Sequence, residues 1–139
     1  MGLNNSPDLS ASAPTLVVTT PVGQWHEIGA LMVASTAAAG GWRVTYLGTN
    51  LPAEEIAAAV QHQAAKAVAL SIVYPADDPR IREELINLRR YLGHEVNLVV
   101  GGRGSVGYKE VLDDIGAVYL CDMTGLREHM ECLRMGSPM

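Results

Sequence analysis

The run Gln24-Trp25-His26-Glu27-Ile28-Gly29 places a histidine and, three residues on, a glycine. An imidazole is the side chain that most readily ligates a transition metal near neutral pH. A glycine about one helical turn later lets something bulky come close to the backbone. Two further signals lie downstream, Ser71-Ile72-Val73 and Gly101-Gly102. All three sit at or just beyond the ends of apolar, strand-like stretches. That is the C-terminal edge of a parallel sheet, where open α/β folds bind ligands. Together they point to a bound cofactor with a metal at its centre. Singly, each has a plainer explanation: a helix-start histidine, close helix–sheet packing at Gly29, a small buried serine, and a tight turn at Gly101-Gly102.

The elements that must position these residues alternate along the chain. Strands are expected at residues 15–20, 42–47, 67–73, 96–100 and 117–121. They are apolar throughout rather than alternating, as in a parallel sheet covered on both faces. Between them, Ile28, Leu31, Met32, Ser35 and Ala39 recur at helical spacing, and Gly40-Gly41 stops that helix. Pro52 with Glu54 and Glu55 opens a second helix, its acids in the first turn where the helix dipole favours them. Asp77-Asp78-Pro79 caps a third, running to about Tyr91. A short helix at 106–115 and a last one at 124–135 complete the series. Right-handed crossovers then give a three-layer α/β domain, a doubly wound five-stranded parallel sheet of flavodoxin-like or Rossmann-like form.

The length of 139 residues suits one domain. Residues 1–14, rich in Ser, Asn and Pro, read as a disordered tail or cut linker, which leaves 15–135 as the folded part. A net charge of −5 argues against nucleic-acid binding by a basic face. The pair Arg89-Arg90 lies on a helix with acidic neighbours and reads as solvated surface. No basic segment followed by an apolar core marks a signal peptide, and the apolar stretch 28–42 is too short to span a bilayer. Cys121 and Cys132 form no CxxC pair, so a soluble protein of the reducing cytoplasm is expected.

In order and spacing, the three signals resemble the cobalamin-binding domain of methionine synthase, methylmalonyl-CoA mutase, corrinoid carrier proteins and light-responsive cobalamin-binding repressors. That family's signature is Asp-x-His-x-x-Gly, then Ser-x-Leu, then Gly-Gly. This chain has Gln24-x-His26-x-x-Gly29, Ser71-x-Val73 and Gly101-Gly102, separated by residues 30–70 and 74–100. The segments 40–44 and 51–55 are similar as well, so the resemblance covers about residues 15–125.

The resemblance implies a fold and a chemistry. His26 would ligate cobalt from the lower face of adenosylcobalamin or methylcobalamin and displace the cofactor's own dimethylbenzimidazole base. That base and its nucleotide tail would enter a slot in the domain. Gly29 would leave room for the tail, Ser71 would hydrogen-bond the base, and Val73 would line the slot. Gly101 and Gly102 would let the tail pass close to backbone. Trp25 and Tyr74 would serve as walls, with Gln24, Glu27 and Ile28 completing the binding set.

The departure is Gln24, where the family has Asp. Gln can accept a hydrogen bond from the histidine but carries no charge, so the His–cobalt bond would be weaker. This moves the reading away from methyl transfer and toward the light-responsive repressors. The upper face of the corrin would need a partner protein or domain, since 139 residues hold no second unit. The chain is therefore expected to be a sensory or carrier module, not catalytic on its own, with a corrinoid subunit of a methyltransferase or mutase as the alternative. Self-association is open.

Gly102-Arg103-Gly104-Ser105-Val106-Gly107 also matches GxGxxG, with Asp122 at the end of the next strand. A dinucleotide-binding loop is thus a second alternative. It falls on the fourth strand, whereas the fingerprint ordinarily opens on the first. His62, His94 and His129 share no ligand spacing and read as surface residues, and Cys121 as a small buried one.

Overall fold

The computed structural model describes residues 12–75 and 77–136. The tail expected at 1–14 lies, up to residue 11, outside the described residues. Five strands, β1 (Thr15–Thr19), β2 (Arg43–Tyr46), β3 (Ala67–Ser71), β4 (Asn97–Gly101) and β5 (Val118–Tyr119), alternate with helices α1 (Ile28–Ala39), α2 (Ala53–Gln63), α3 (Pro79–Leu92), α4 (Lys109–Asp114) and α5 (Met123–Met135). All pairings are parallel, in the order β2-β1-β3-β4-β5. This is the flavodoxin-like, doubly wound order. Strand order reverses at β1, so the loops after β1 and β3 diverge at their C-terminal ends and open a crevice.

Alternation along each central strand sorts side chains between two layers. Val17, Val68, Leu70, Leu98 and Val100 join Ile56, Ile81, Leu85, Leu88 and Leu112 under α2, α3 and α4. Leu16, Val18, Ala67, Ala69 and Val99 face the other way, with Ala30, Ala37, Leu126 and Met130 of α1 and α5. Trp42 closes the lower end of that second layer, its indole N–H donating to the Met130 carbonyl at 3.1 Å.

The strands end earlier than their composition suggests. Thr20 leaves β1 because its hydroxyl turns to the Gln24 carbonyl at 2.6 Å and accepts the Asn50 amide at 2.8 Å. Residues 72 and 73 extend past β3 because the Val73 amide is taken by the Gln24 side chain. The expected helix at 106–115 divides into a 3-10 helix at Arg103–Tyr108 and then α4.

Ile28, Leu31 and Met32, whose helical spacing marks out α1 in the sequence, are exposed, and α1 buries Ala30 and Ala37 instead. Being apolar on every side, α1 offers periodicity no contrast to work on. The small residues decide the face, because only they let the helix approach the sheet closely.

Candidate functional site

The cavity lies beside that crevice, on the α1 and α5 side of the sheet. It measures about 200 Å³ and opens between α1 and α5 over the C-terminal ends of β3, β4 and β5. Its floor is two registered pairs, Ala69 with Val99 and Ser71 with Gly101. Each pair is small, so the floor lies low. Gly29, Met32 and Val33 of α1 form one wall; Leu120, Cys121, Asp122, Met123 and Leu126 form the other.

Gly29 keeps this space open. A β-carbon there would lie 2.9 Å from the Ser71 hydroxyl oxygen. Ser71 is only 5% exposed, yet its hydroxyl makes no hydrogen bond to the described residues. Two carbonyls nearby are already committed. The Gly101 carbonyl accepts the Ile72 amide at 2.9 Å, and the Gly102 carbonyl accepts both the Ser105 amide and its hydroxyl. Ser71 thus places an unengaged hydroxyl on the floor of a mostly apolar slot.

Above the cavity, the loop from β1 to α1 carries the motif histidine. The loop is braced from below: the Gly23 amide donates to the Asn50 side chain at 2.7 Å, and Thr20 grips the Gln24 carbonyl. His26 is exposed at its tip and makes no hydrogen bond or ion pair to the described residues. Glu27 beside it accepts from the Tyr46 hydroxyl at 2.9 Å. Burial, and next the hydrogen bond to this carboxylate, push the Tyr46 phenol above its usual range.

Gln24 does not support His26, contrary to the expectation that its oxygen would accept from the imidazole. It is 1% exposed, and its Oε1 accepts the amides of Val73 at 2.7 Å and Tyr74 at 3.1 Å. Its Nε2 donates to the Tyr74 carbonyl. The amide side chain thus reads three backbone groups of the next loop, and its oxygen has no lone pair left to accept from His26. Tyr108 holds the same loop from the far side, donating to the Pro75 carbonyl at 2.9 Å and accepting the Asp78 amide at 2.7 Å. Burial is the main cause that raises its pKa.

Gly29, Ser71, Gly101 and Gly102 therefore gather at one cavity, as their spacing suggested. Val73, expected to line it, does not, because the Gln24 clamp draws its backbone up into the loop. Trp25 and Tyr74, expected as walls, are exposed side chains of the rim, as is Ile28. Sequence reasoning missed Ala69, Val99 and the whole α5 wall. Stepping back two residues from Ser71 and from Gly101 would have found the first two, since a strand repeats its faces every second residue. Cys121, read as buried, is exposed at the cavity mouth, and His129, read as surface, is buried at 5% exposure.

The GxGxxG glycines serve the fold. Gly102 has φ +100°, and a β-carbon there would collide with the Ile72 backbone. One at Gly104 would stand 2.5 Å from the Val73 carbonyl oxygen. These positions are filled by the neighbouring strand end, where a dinucleotide reading needs a pyrophosphate.

An open parallel sheet with an apolar slot beside its switch point and an accessible histidine on the adjoining loop suits a small-molecule cofactor. The B12 binding domain family matches residues 14–126, and the chain belongs to that family. It is 35% identical over 108 residues to ethylmalonyl-CoA mutase of Methylorubrum extorquens, covering 76% of this chain and 16% of the mutase. It is 30% identical over 108 residues to the HTH-type transcriptional repressor CarA of Myxococcus xanthus, covering 78% of this chain and 37% of the repressor. The chain thus spans well under half of either relative. Among solved structures, the Methanosarcina barkeri monomethylamine corrinoid protein superposes with TM-score 0.71 at 18% identity, over 94% of this chain and 60% of that one. A cobalamin-binding protein from Desulfitobacterium hafniense superposes with TM-score 0.69 at 20% identity, over 88% and 59%. At those identities the likeness shows a shared fold.

Proposed function

We propose that this domain holds cobalamin with the lower base detached from cobalt, His26 on the vacated axial position and the base in the slot between α1 and α5. The observation that carries this reading is the slot itself: a narrow, mostly apolar space kept open by Gly29, with the Ser71 hydroxyl, unpaired among the described residues, on its floor. Among the described residues, no three His, Cys, Asp or Glu side chains gather into a metal cluster. A lone histidine suits a metal that brings its own ring of ligands. When bound, the corrin supplies a cobalt–carbon bond whose cleavage or transfer is the reactive event.

The chain's own residues fix how that event is read out. Gln24 is turned to the next loop and His26 makes no hydrogen bond to the described residues, so no acceptor there raises its basicity. The His–cobalt bond is accordingly easy to displace. That property fits a sensory or regulatory module, in which loss of the upper ligand changes association, better than a carrier that must hold cobalt through repeated methyl transfer. Trp25, Ile28, Tyr74 and Val106 leave an apolar rim around the site. Exposed apolar groups in one region mark a contact surface, and the partner domain or protein that covers the upper corrin face would pack there. Free Cys121 and Cys132 accord with a reducing, cytoplasmic setting. Among the described residues no helix is long and apolar enough to cross a membrane.

The second reading is a corrinoid subunit of a mutase or methyltransferase, favoured by the likeness to ethylmalonyl-CoA mutase. Size-exclusion chromatography with adenosylcobalamin, in the dark and after illumination, separates the two. A light-dependent change in size supports the sensory module. An unchanged size, with methyl or acyl-group chemistry on adding a partner, supports the subunit. Failure to retain cobalamin through desalting would contradict both.

A further inference from the structure

We infer that Cys121 is a site of thiol–disulfide exchange with low-molecular-weight disulfides, and that an adduct there shuts the cofactor out. The second half rests on the proposal that the slot takes part of the cofactor. Cys121 lies just past β5 and just before α5, where the Asp122 carboxylate caps the helix by accepting the Gly125 amide at 2.7 Å. It is exposed and in no disulfide. It also lines the cavity, on the wall that faces Gly29 and Met32 of α1. The same cavity holds Ser71, 5% exposed, whose hydroxyl is unpaired among the described residues. An unpaired polar group at that depth marks the space as one that a ligand fills. Cys132 is partly buried near the far end of α5, outside the cavity lining, and the helix holds the two thiols apart.

Exchange asks two things of a thiol, a thiolate fraction and an open approach. The exposed position supplies the approach. The Cys121 sulfur, as thiolate, attacks one sulfur of glutathione disulfide. The glutathione S–S bond breaks as the bond from Cys121 to glutathione forms, so the protein thiol is oxidised. The other glutathione is reduced; it leaves as thiolate and takes up the proton that Cys121 gave to water. A further thiol reverses the step. The product places a charged tripeptide in the mouth of a narrow, mostly apolar space. Adduct and cofactor then compete for one opening: the loaded domain shields Cys121, and the modified domain does not load.

The test treats the whole chain with glutathione disulfide and locates the adduct by mass spectrometry. Equilibrium dialysis in the dark then reads the affinity for adenosylcobalamin and for adenosylcobinamide, which lacks base and nucleotide. The inference predicts an adduct on Cys121 whose formation adenosylcobalamin slows. The modified chain, melting as the unmodified one does, should bind adenosylcobalamin at least about tenfold more weakly, and dithiothreitol should restore the affinity. The same treatment should leave the affinity of Cys121→Ser unmoved and lower that of Cys132→Ser as it lowers the parent's. No adduct on Cys121, or an adduct that leaves the affinity undiminished, would overturn the inference. So would a loss that persists in Cys121→Ser or that comes with unfolding. In each of these cases the slot reading stands if the unmodified chain prefers adenosylcobalamin to adenosylcobinamide. Absence of that preference would remove the slot reading, and the competition at its mouth with it.

Discussion

Gly29 and Ser71 meet across the slot so closely that a β-carbon on Gly29 would lie 2.9 Å from the Ser71 hydroxyl oxygen. Helix α1 and strand β3 are otherwise free to accept an alanine at that position. The glycine is thus required by the space beside it, and its backbone angle makes no demand. Gly29→Ala should leave stability within about 1 kcal/mol of the parent, since alanine favours the helix. Binding of hydroxocobalamin should fall by an order of magnitude or more. Chemical denaturation and equilibrium dialysis of the same preparation check both halves, and unchanged affinity would show that the slot is not used.

Gln24 ties two rim loops together through three backbone groups. Gln24→Ala strands the Val73 and Tyr74 amides at a partly buried site, at a cost of about 1–3 kcal/mol for a buried donor. Hydrogen exchange should speed up selectively at Val73 and Tyr74. A variant as stable as the parent, with unchanged protection there, would contradict the clamp. Gln24→Glu keeps the acceptor and loses the donor to Tyr74, so it should fall between the two.

The glycines of the Gly102–Gly107 run give a sharper contrast. At Gly102 a side chain meets Ile72 backbone with φ at +100°, and at Gly104 it meets the Val73 carbonyl. Neither neighbour can swing aside as a side chain would. Gly104→Ala should therefore cost about 2 kcal/mol or more of folding stability. A Gly104→Ala protein with native melting behaviour would reopen the dinucleotide reading.

His129 is buried on α5, with its Nε2 unpartnered among the described residues. Burial lowers its pKa below the ordinary histidine value, so the folded chain resists a proton that the unfolded chain accepts. Above the unfolded value of about 6.5 both states are neutral and the residue adds no pH dependence. As pH falls below that value, stability should decline, levelling off only below the depressed folded value. Urea melts between pH 7.5 and 5 should show this slope, and His129→Leu should flatten it. An equal slope in the variant would assign it elsewhere.

These cases also show what the sequence could and could not disclose. The fold was legible because apolar strands and capped helices alternate without interruption, and residues such as Pro52, Asp78 and Gly40 punctuate them where the structure does. The floor of the site was legible at Ser71 and Gly101 because a small residue at a strand end has few other uses. The orientation of α1 was hidden, since Leu31 and Ala30 are both apolar and only packing chooses between them. The role of Gln24 was hidden too. Adjacency in the motif suggested His26 as its partner, whereas the loop geometry delivers Val73 and Tyr74 from fifty residues away.

The account turns on whether His26 supplies the nitrogen on cobalt. The most direct measurement is electron paramagnetic resonance of the reduced, cobalt(II) corrinoid bound to chain labelled with nitrogen-15 histidine. An axial histidine nitrogen would change the superhyperfine splitting from triplets to doublets on labelling, and His26→Ala would abolish the labelled pattern. Triplets that persist in the labelled protein would mean that the cofactor keeps its own base on cobalt, and the account would be wrong at its centre.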